Sequence, residues 1–397
     1  MQPTDICILY LIMKKSSKPD AKLITSKSNI AYLSNFNGSA GFMLLTKNEK
    51  YLFTDFRYIE RAKDSIKKDI TLVNITRIWR NPEELKKSWQ TILKKHKVKT
   101  LGVEESDLTV SQFKRFQKNS NSTIKLSRKL SPGTTLGKSH SPKIRFTDIS
   151  GDIEKIREIK TPEEIRFTIK SQEINEQVFM EIKKIIQDYI KHSSPKPLRE
   201  IELAWKIKEL GHQFGAEEMS FDPIVAFGKH TSRPHHEPDN TPLKRGDIVM
   251  IDMGMKYKGY CSDMTRMLFT TTPTKKQAEI YNLVLDAQEN AIKKIHAGMT
   301  GSKADAFSRD IIKKAGYGPQ YGHAGGHGTG LDIHEIPSLS ENYKKPLKEY
   351  SIITVEPGIY LEGEFGVRIE DMVLVTKTGT KRLTKIKKNL DCSHLFQ

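Results

Sequence analysis

Cysteine is scarce: three in 397 residues, Cys7, Cys261 and Cys392. They lie far apart with no C-x-x-C pair, which excludes a disulfide framework and a thiolate zinc site. Long hydrophobic runs are lacking as well, and no segment reaches the ~20 apolar residues of a membrane span. The nearest N-terminal candidate, Ile6 to Met13, is broken by Cys7 and Tyr10 and preceded by Asp5 rather than by basic residues, so it does not read as an export signal. A reducing cytoplasm is the expected compartment, with no membrane partner.

Acidic residues are in the minority, 48 Asp and Glu against 66 Lys and Arg, for a formal net charge of +18. That excess raises nucleic acid as a partner. The lysines, however, are spread over helix-like stretches such as Glu84 to Lys99 and Gln277 to Lys294, and no RNP, zinc-finger or basic-arm pattern stands beside them. A solvated basic surface fits better than a nucleic-acid site. With 37% hydrophobic and 29% charged residues the composition is that of a globular protein, and its length calls for two domains.

Apolar segments at Ala21 to Thr25, Gly41 to Thr46 and Tyr51 to Thr54, with an amphipathic stretch at Asn81 to Lys97, predict an α/β layer domain at the N-terminal end. A polar stretch rich in Pro, Gly, Ser and Thr, Leu130 to Pro142, reads as a linker, which puts the domains at 1–150 and 151–397. Asp152 to Ile159 predicts a helix. Thr161-Pro-Glu-Glu predicts a second helix start, with proline at the first helical position and a glutamate closing a capping box. Helices are expected over Glu173 to Ile190 and Leu198 to Phe214. From Phe221 onward the pattern turns to glycine-punctuated strands, with one helix pair at Lys276 to Ala315.

Two hairpins in that region carry paired acids. In IVMIDMGMKYKGYCSDMTRMLF, a turn centred between Tyr257 and Lys258 would set Asp252 and Asp263 opposite each other, with Gly259 as the permissive turn residue inside a longer loop or bulge. In SIITVEPGIYLEGEFGVRIEDMVLV, Glu356 and Glu370 are symmetric about Gly363. Apolar neighbours Ile251, Val355 and Ile369 imply partial burial of all four carboxylates, where repulsion and desolvation favour protonation unless cations compensate. The loop YGHAGGHGTGLDIHE offers His323, His327 and His334. Four carboxylates and an imidazole form a hard donor set suited to Mn²⁺, Co²⁺, Fe²⁺ or Zn²⁺ in a two-metal site. Any one of these residues alone reads as a turn or loop residue; their coincidence within ~120 positions makes the case.

The segments FDPIVAFG, RPHHEP, IDMG, CSDMTR, GHGTGLDIHE, VEPGIY and GVRIED resemble, in order, the pita-bread metallopeptidases that include methionine aminopeptidase, prolidase and aminopeptidase P. NIAYLSNFNGSAGFMLLT and YLFTDFRY resemble the creatinase-type N-terminal domain of prolidases and aminopeptidases P. The resemblance implies an α/β fold: a pita-bread catalytic domain preceded by a smaller α/β domain that shapes its cleft. It further implies two divalent ions, Mn²⁺ first among them, with a hydroxide between them as nucleophile. Asp252 would ligate one metal, Asp263 and Glu370 would bridge, and His327 and Glu356 would hold the other. Glu356 would also be the general base, His235 and His334 would line the substrate side, and His323 and Arg368 would support them. The implied activity is removal of the first residue from peptides with proline second. The alternative is a dipeptidase restricted to Xaa-Pro, and a binding protein on the same fold is disfavoured because all five ligand positions are intact. A homodimer is also implied. Light scattering after size exclusion should give twice the chain's 45.4 kDa, and a monomer mass would sink that expectation.

Overall fold

The computed structural model describes residues 19–76, 82–121, 143–192 and 196–388. Cys7, Cys392, the Ile6 to Met13 stretch, Asn81 and the whole Leu130 to Pro142 linker lie outside the described residues. Two compact units divide the chain, Met1–Ile156 and Arg157–Gln397. Among the described residues no helix is long and apolar enough to cross a membrane.

The first unit is built on strands β1 (Ala21–Ile24), β2 (Phe42–Thr46), β3 (Lys50–Thr54), β4 (Ile70–Asn74), β5 (Thr100–Val103) and β6 (Arg145–Asp148), in the order β4-β3-β2-β1-β5-β6. The β1–β2 and β2–β3 pairs are antiparallel and the others parallel. The near-continuous burial of β1, β2 and β3 explains why these three read as apolar runs rather than alternating ones, whereas the edge strands β4 and β6 are partly exposed. Helices α1 (Lys27–Ser34), α2 (Phe56–Ser65), α3 (Pro82–Lys95) and α4 (Val110–Asn121) connect them. Trp89 and Leu93 of α3 pack with Phe53 and Leu101 in one core cluster, and Leu33 of α1 packs with Met43 and Leu52 in another.

Helix α5 (Glu154–Arg157) is a single turn, shorter than the eight residues expected at Asp152 to Ile159. Thr161 then caps α6 (Pro162–His192) as its sequence predicts: its backbone N–H donates to Glu164 Oε2 at 2.6 Å, and its hydroxyl accepts from the Glu164 N–H. The helix runs unbroken for 31 residues because no glycine or proline follows Pro162, so the separate helix expected from Glu173 is the second half of the same one. Ile174, Val178, Ile182 and Ile186, one helical turn apart, face Leu203 and Ile207 of α7 (Glu200–Gln213) in one core.

The strands of this unit follow as β7 (Glu218–Met219), β8 (Ile224–Phe227), β9 (Ile248–Met253), β10 (Met255–Tyr257), β11 (Tyr260–Cys261) and β12 (Met264–Phe269). After the helix pair α8 (Lys275–Lys294) and α9 (Gly301–Lys314) come β13 (Gly326–Gly328), β14 (Glu335–Leu339), β15 (Ile352–Val355), β16 (Gly358–Leu361), β17 (Phe365–Arg368), β18 (Asp371–Val375) and β19 (Thr380–Arg382). They form antiparallel sheets ordered β8-β9-β12, β7-β10-β11, β14-β13-β15-β18-β19 and β16-β17.

The first acid-bearing hairpin turns one residue later than expected. Tyr257 pairs with Tyr260, and the two residues between, Lys258 and Gly259, have φ of 51° and 78°, the sign pattern of a type I′ turn. There is no bulge at this tip. Asp252 therefore lies opposite Thr265, not Asp263. Asp263 is two positions along, a diagonal neighbour whose side chain shares the face by the period of two. The second hairpin keeps one register throughout: Val355 pairs with Asp371 and Gly358 with Arg368, and Gly363 turns at φ 75°. Glu356 and Glu370 face each other between those two ladders.

Candidate active site

Each acid stands at or just beyond a strand end, where the ladder hands over to its continuation. Asp252 is on β9, Asp263 precedes β12, Glu356 follows β15 and Glu370 precedes β18, while His327 is the central residue of β13. Asp263, His327 and Glu370 each offer a donor atom within 4.8 Å of the others. His327 Nε2 lies 3.3 Å from Glu356 Oε1 and 3.5 Å from Asp263 Oδ2. Asp252 completes the nest through Arg368, whose Nη2 donates to Asp252 Oδ2.

The electrostatics of this nest call for cations. Burial first, then the charges of Glu370, Asp252 and Glu356, push the Asp263 carboxyl well above the usual range. Burial, Glu356 and Asp252 do the same to Glu370, and burial raises Glu356 to about 7 against the pull of Arg368. Asp252 Oδ1 and Glu370 Oε1 are buried with no hydrogen-bond partner, an arrangement costly for a carboxylate unless something else fills its lone pairs. His327 points the same way. Its Nδ1 is 3.1 Å from the Gly328 carbonyl, which can only accept, so Nδ1 carries the proton and a bare Nε2 faces the acids. Burial holds its pKa below the ordinary imidazole value. A lone pair aimed at two carboxylates fits a divalent ion, and the donor set as a whole fits the hard-cation preference read from the sequence.

Arg368 ties the nest to its surroundings. Its Nε donates to Thr265 Oγ1 at 3.0 Å, and that hydroxyl donates to Glu370 Oε2 at 2.8 Å. Its Nη1 donates to the Tyr360 hydroxyl at 2.8 Å and to the Pro234 carbonyl at 3.2 Å. Tyr360 in turn bonds His323 Nε2 at 2.9 Å. Since His323 Nδ1 faces the Ala324 carbonyl at 2.7 Å and must donate there, Nε2 accepts, and Tyr360 passes its proton toward His323 while accepting from Arg368. Burial, reinforced by Arg368, lowers the His323 pKa to about 4, so this histidine is neutral at physiological pH.

His334 is exposed, with its ring 4.4 Å from that of His327. Partial burial and then His327 lower its pKa. His235 is exposed as well, and its charge reaches both His323 and His334. All nine residues singled out in the sequence therefore converge on one region. Thr265 and Tyr360 were not singled out, because a threonine in a strand and a tyrosine after a Pro-Gly carry no chemical signature of their own. Glu335, whose side chain is buried and bonded by Arg157 and Lys160, carries no such signature either; Lys160 and Arg157 overcome its burial and keep its pKa low, and it accepts from the Asp332 N–H two residues before His334.

A nest of four carboxylates and one imidazole on paired antiparallel hairpins, wrapped by α6 to α9, defines a metallopeptidase of the pita-bread fold. Residues 167–377 match the model of metallopeptidase family M24, residues 11–132 match that of the creatinase/prolidase N-terminal domain, and the chain belongs to family M24. It is 39% identical over 294 residues to the Xaa-Pro dipeptidase of Pyrococcus furiosus, covering 72% of this chain and 82% of that protein. Among solved structures it is similar to an Xaa-Pro dipeptidase from Bacillus anthracis, with TM-score 0.84 and 32% identity over 97% of this chain and 99% of that one. The X-Pro aminopeptidase from Thermotoga maritima gives 0.78 and 31%, covering 94% and 97%.

Proposed function

We propose that the protein is a two-metal Xaa-Pro aminopeptidase that releases the first residue from peptides with proline in second position. The observation that carries this reading is the acid nest itself, with two orphaned carboxylate oxygens and a bare imidazole nitrogen facing inward. Asp252, Asp263, His327, Glu356 and Glu370 would hold the two ions, with Mn²⁺ as the first candidate. When bound, the pair supplies Lewis-acid polarisation of the scissile carbonyl and acidifies the attacking water.

The protein's own groups do the rest. Glu356, a carboxylate at the edge of the nest, is placed to take a proton from water at one moment and return it to the departing prolyl nitrogen at the next. His235 and His334 line the substrate side and meet the charge that develops on the carbonyl oxygen. Arg368 holds Asp252 and Tyr360 in place, and neutral His323 supports Tyr360. A substrate whose scissile amide is tertiary offers no N–H, so recognition rests on the carbonyl and on the shape around the ring.

Relatives carry both Xaa-Pro dipeptidase and X-Pro aminopeptidase names, and a dipeptidase limited to Xaa-Pro is the second reading. A cavity of about 600 Å³ lies beside His323, lined also by Arg309, Lys313, Ser340 and Asn342, but none of the five proposed metal ligands lines it, so it does not separate the two readings. The test is hydrolysis of Gly-Pro, Ala-Pro and Ala-Pro-Ala by metal-stripped protein refilled with Mn²⁺, Co²⁺ or Zn²⁺. Release of the first residue of the tripeptide is expected. Cleavage of the dipeptides alone would turn the assignment to a dipeptidase, and no metal-dependent cleavage of any of them would overturn both. We also propose the homodimer that the family resemblance implies.

A further inference from the structure

A second buried group of titratable side chains stands at the start of α7: Glu200, His230 and His236. Its donors superficially suit a metal ion, but the hydrogen bonding argues otherwise. Glu200 Oε1 accepts from the Phe227 N–H at 2.7 Å and from His230 Nδ1 at 3.0 Å. Oε2 accepts from His236 Nε2 at 2.7 Å and from the Asp239 N–H at 3.2 Å. A carboxylate has about four acceptor positions, and all four are filled by N–H donors. In the acid nest, by contrast, Asp252 Oδ1 and Glu370 Oε1 have no donor at all. The Glu200 cluster is a closed hydrogen-bonded unit.

Its four bonds reach both ends of one loop. Phe227 ends β8, His230 lies in the 3₁₀ turn Gly228–Ser232, and His236 and Asp239 lie on the far side. Between these anchors are Pro234, whose carbonyl accepts from Arg368, and the exposed His235. Within this loop Arg233, His235, Glu237 and Asp239 are exposed, whereas Phe227, His230, Thr231 and His236 are buried beneath them, and a fully buried glutamate is costly unless its bonds return that cost. A glutamate in the first turn of a helix is also favoured by the helix dipole. We infer that Glu200 is a positioning residue: by pinning both ends of the 227–239 loop it sets His235 on the substrate side of the metal nest.

This inference rests on the reading of His235 as a substrate-side residue, and a double-mutant cycle separates the two. The variants Glu200→Gln, His235→Ala and the pair are compared as Mn²⁺-loaded full-length protein on Ala-Pro-Ala, with kcat, KM and bound Mn²⁺ measured for each. Glu200→Gln turns one acceptor oxygen into a donor facing N–H groups. It should lower kcat/KM about 30- to 100-fold, chiefly in kcat, at unchanged Mn²⁺ stoichiometry. In the His235→Ala background the same change should cost less than about threefold, because the group it positions is gone. Equal factors in both backgrounds overturn the proposal while leaving His235 its role. An active His235→Ala overturns the reading of His235 and this inference with it. Should Glu200→Gln not fold, His236→Gln keeps a donor toward Glu200 and His236→Leu removes it. The proposal requires the leucine variant to fall at least about tenfold below the glutamine variant in kcat/KM, and equal activities refute it.

Discussion

Asp263→Asn is expected to lower kcat/KM of the Mn²⁺-loaded protein by at least about 10³-fold, and to raise the melting temperature of the same variant when stripped of metal at pH 8. Both effects come from one property. Asp263 is buried among three further carboxylates, with Glu370, Asp252 and Glu356 all acting on it. Loaded, it contributes charge that several kcal/mol of transition-state stabilisation depend on, and asparagine, with the same shape, does not. Stripped, the carboxyl is a liability at pH 8, since in the fold it must either stay charged, desolvated and repelled, or hold a proton that the unfolded chain has lost. Removing it should raise the melting temperature by a few degrees, because ~1 kcal/mol corresponds to ~2 to 4 °C in a domain of this size. Thermal melts with and without chelator, beside the peptide assay, decide the matter. An active variant, or a stripped variant that melts below stripped wild type at pH 8, would show that Asp263 is structural.

Much of this site was legible in the sequence because its acids sit in hairpins, where position along the chain converts to position in space by a simple rule. Glu356 and Glu370 are symmetric about Gly363, and the ladders on either side keep that register. The rule failed by one residue at the other hairpin, where the turn centre depends on which residues accept positive φ. Lys258 does so at 51°, which its side chain does not advertise, and the shift moves Asp252 from Asp263 to Thr265. The helix pair α8 and α9 and the capped start of α6 were legible from local chemistry, above all the Thr161–Glu164 capping box. What was not legible is the support layer. Glu200 and His236 are 36 residues apart and Arg157 and Glu335 178 apart, and each acquires its meaning only when the fold brings its partner to it. RPHHEP shows the difference: its first histidine is exposed toward the site, whereas its second is buried on Glu200, and no local rule tells the two apart.

The metal-stripped protein is expected to lose stability as pH rises from about 6.5 to 8, and divalent metal to abolish that slope. Glu356 titrates near 4.5 as an ordinary side chain and at about 7 in the fold, raised mainly by burial. Between those values the folded state holds a proton that the unfolded chain has lost. This contribution to stability is full below about 4.5 and disappears as pH rises through about 7. Asp263 and Glu370, raised further, act in the same sense to higher pH. His323, His327 and His334 act oppositely, since burial lowers their pKa values and their contribution is lost as pH falls below the ordinary value of 6.5. The two sets compete most strongly under acid conditions; the histidine contribution fades between 6.5 and about 7.5, above which these histidines are neutral in both states and the carboxyls are left alone. Each carboxyl that keeps its proton across the interval adds a slope of about 1.4 kcal/mol per pH unit, so denaturant titrations at several pH values count the protons held. Metal must displace those same protons to bind. Calorimetric titration of Mn²⁺ at pH 7, in two buffers of different ionisation enthalpy, should therefore report proton release matching the stability slope. A stripped protein that is equally stable at pH 6.5 and 8, or metal binding that releases no protons, would mean that Asp263, Glu356 and Glu370 are ionised without an ion to hold them.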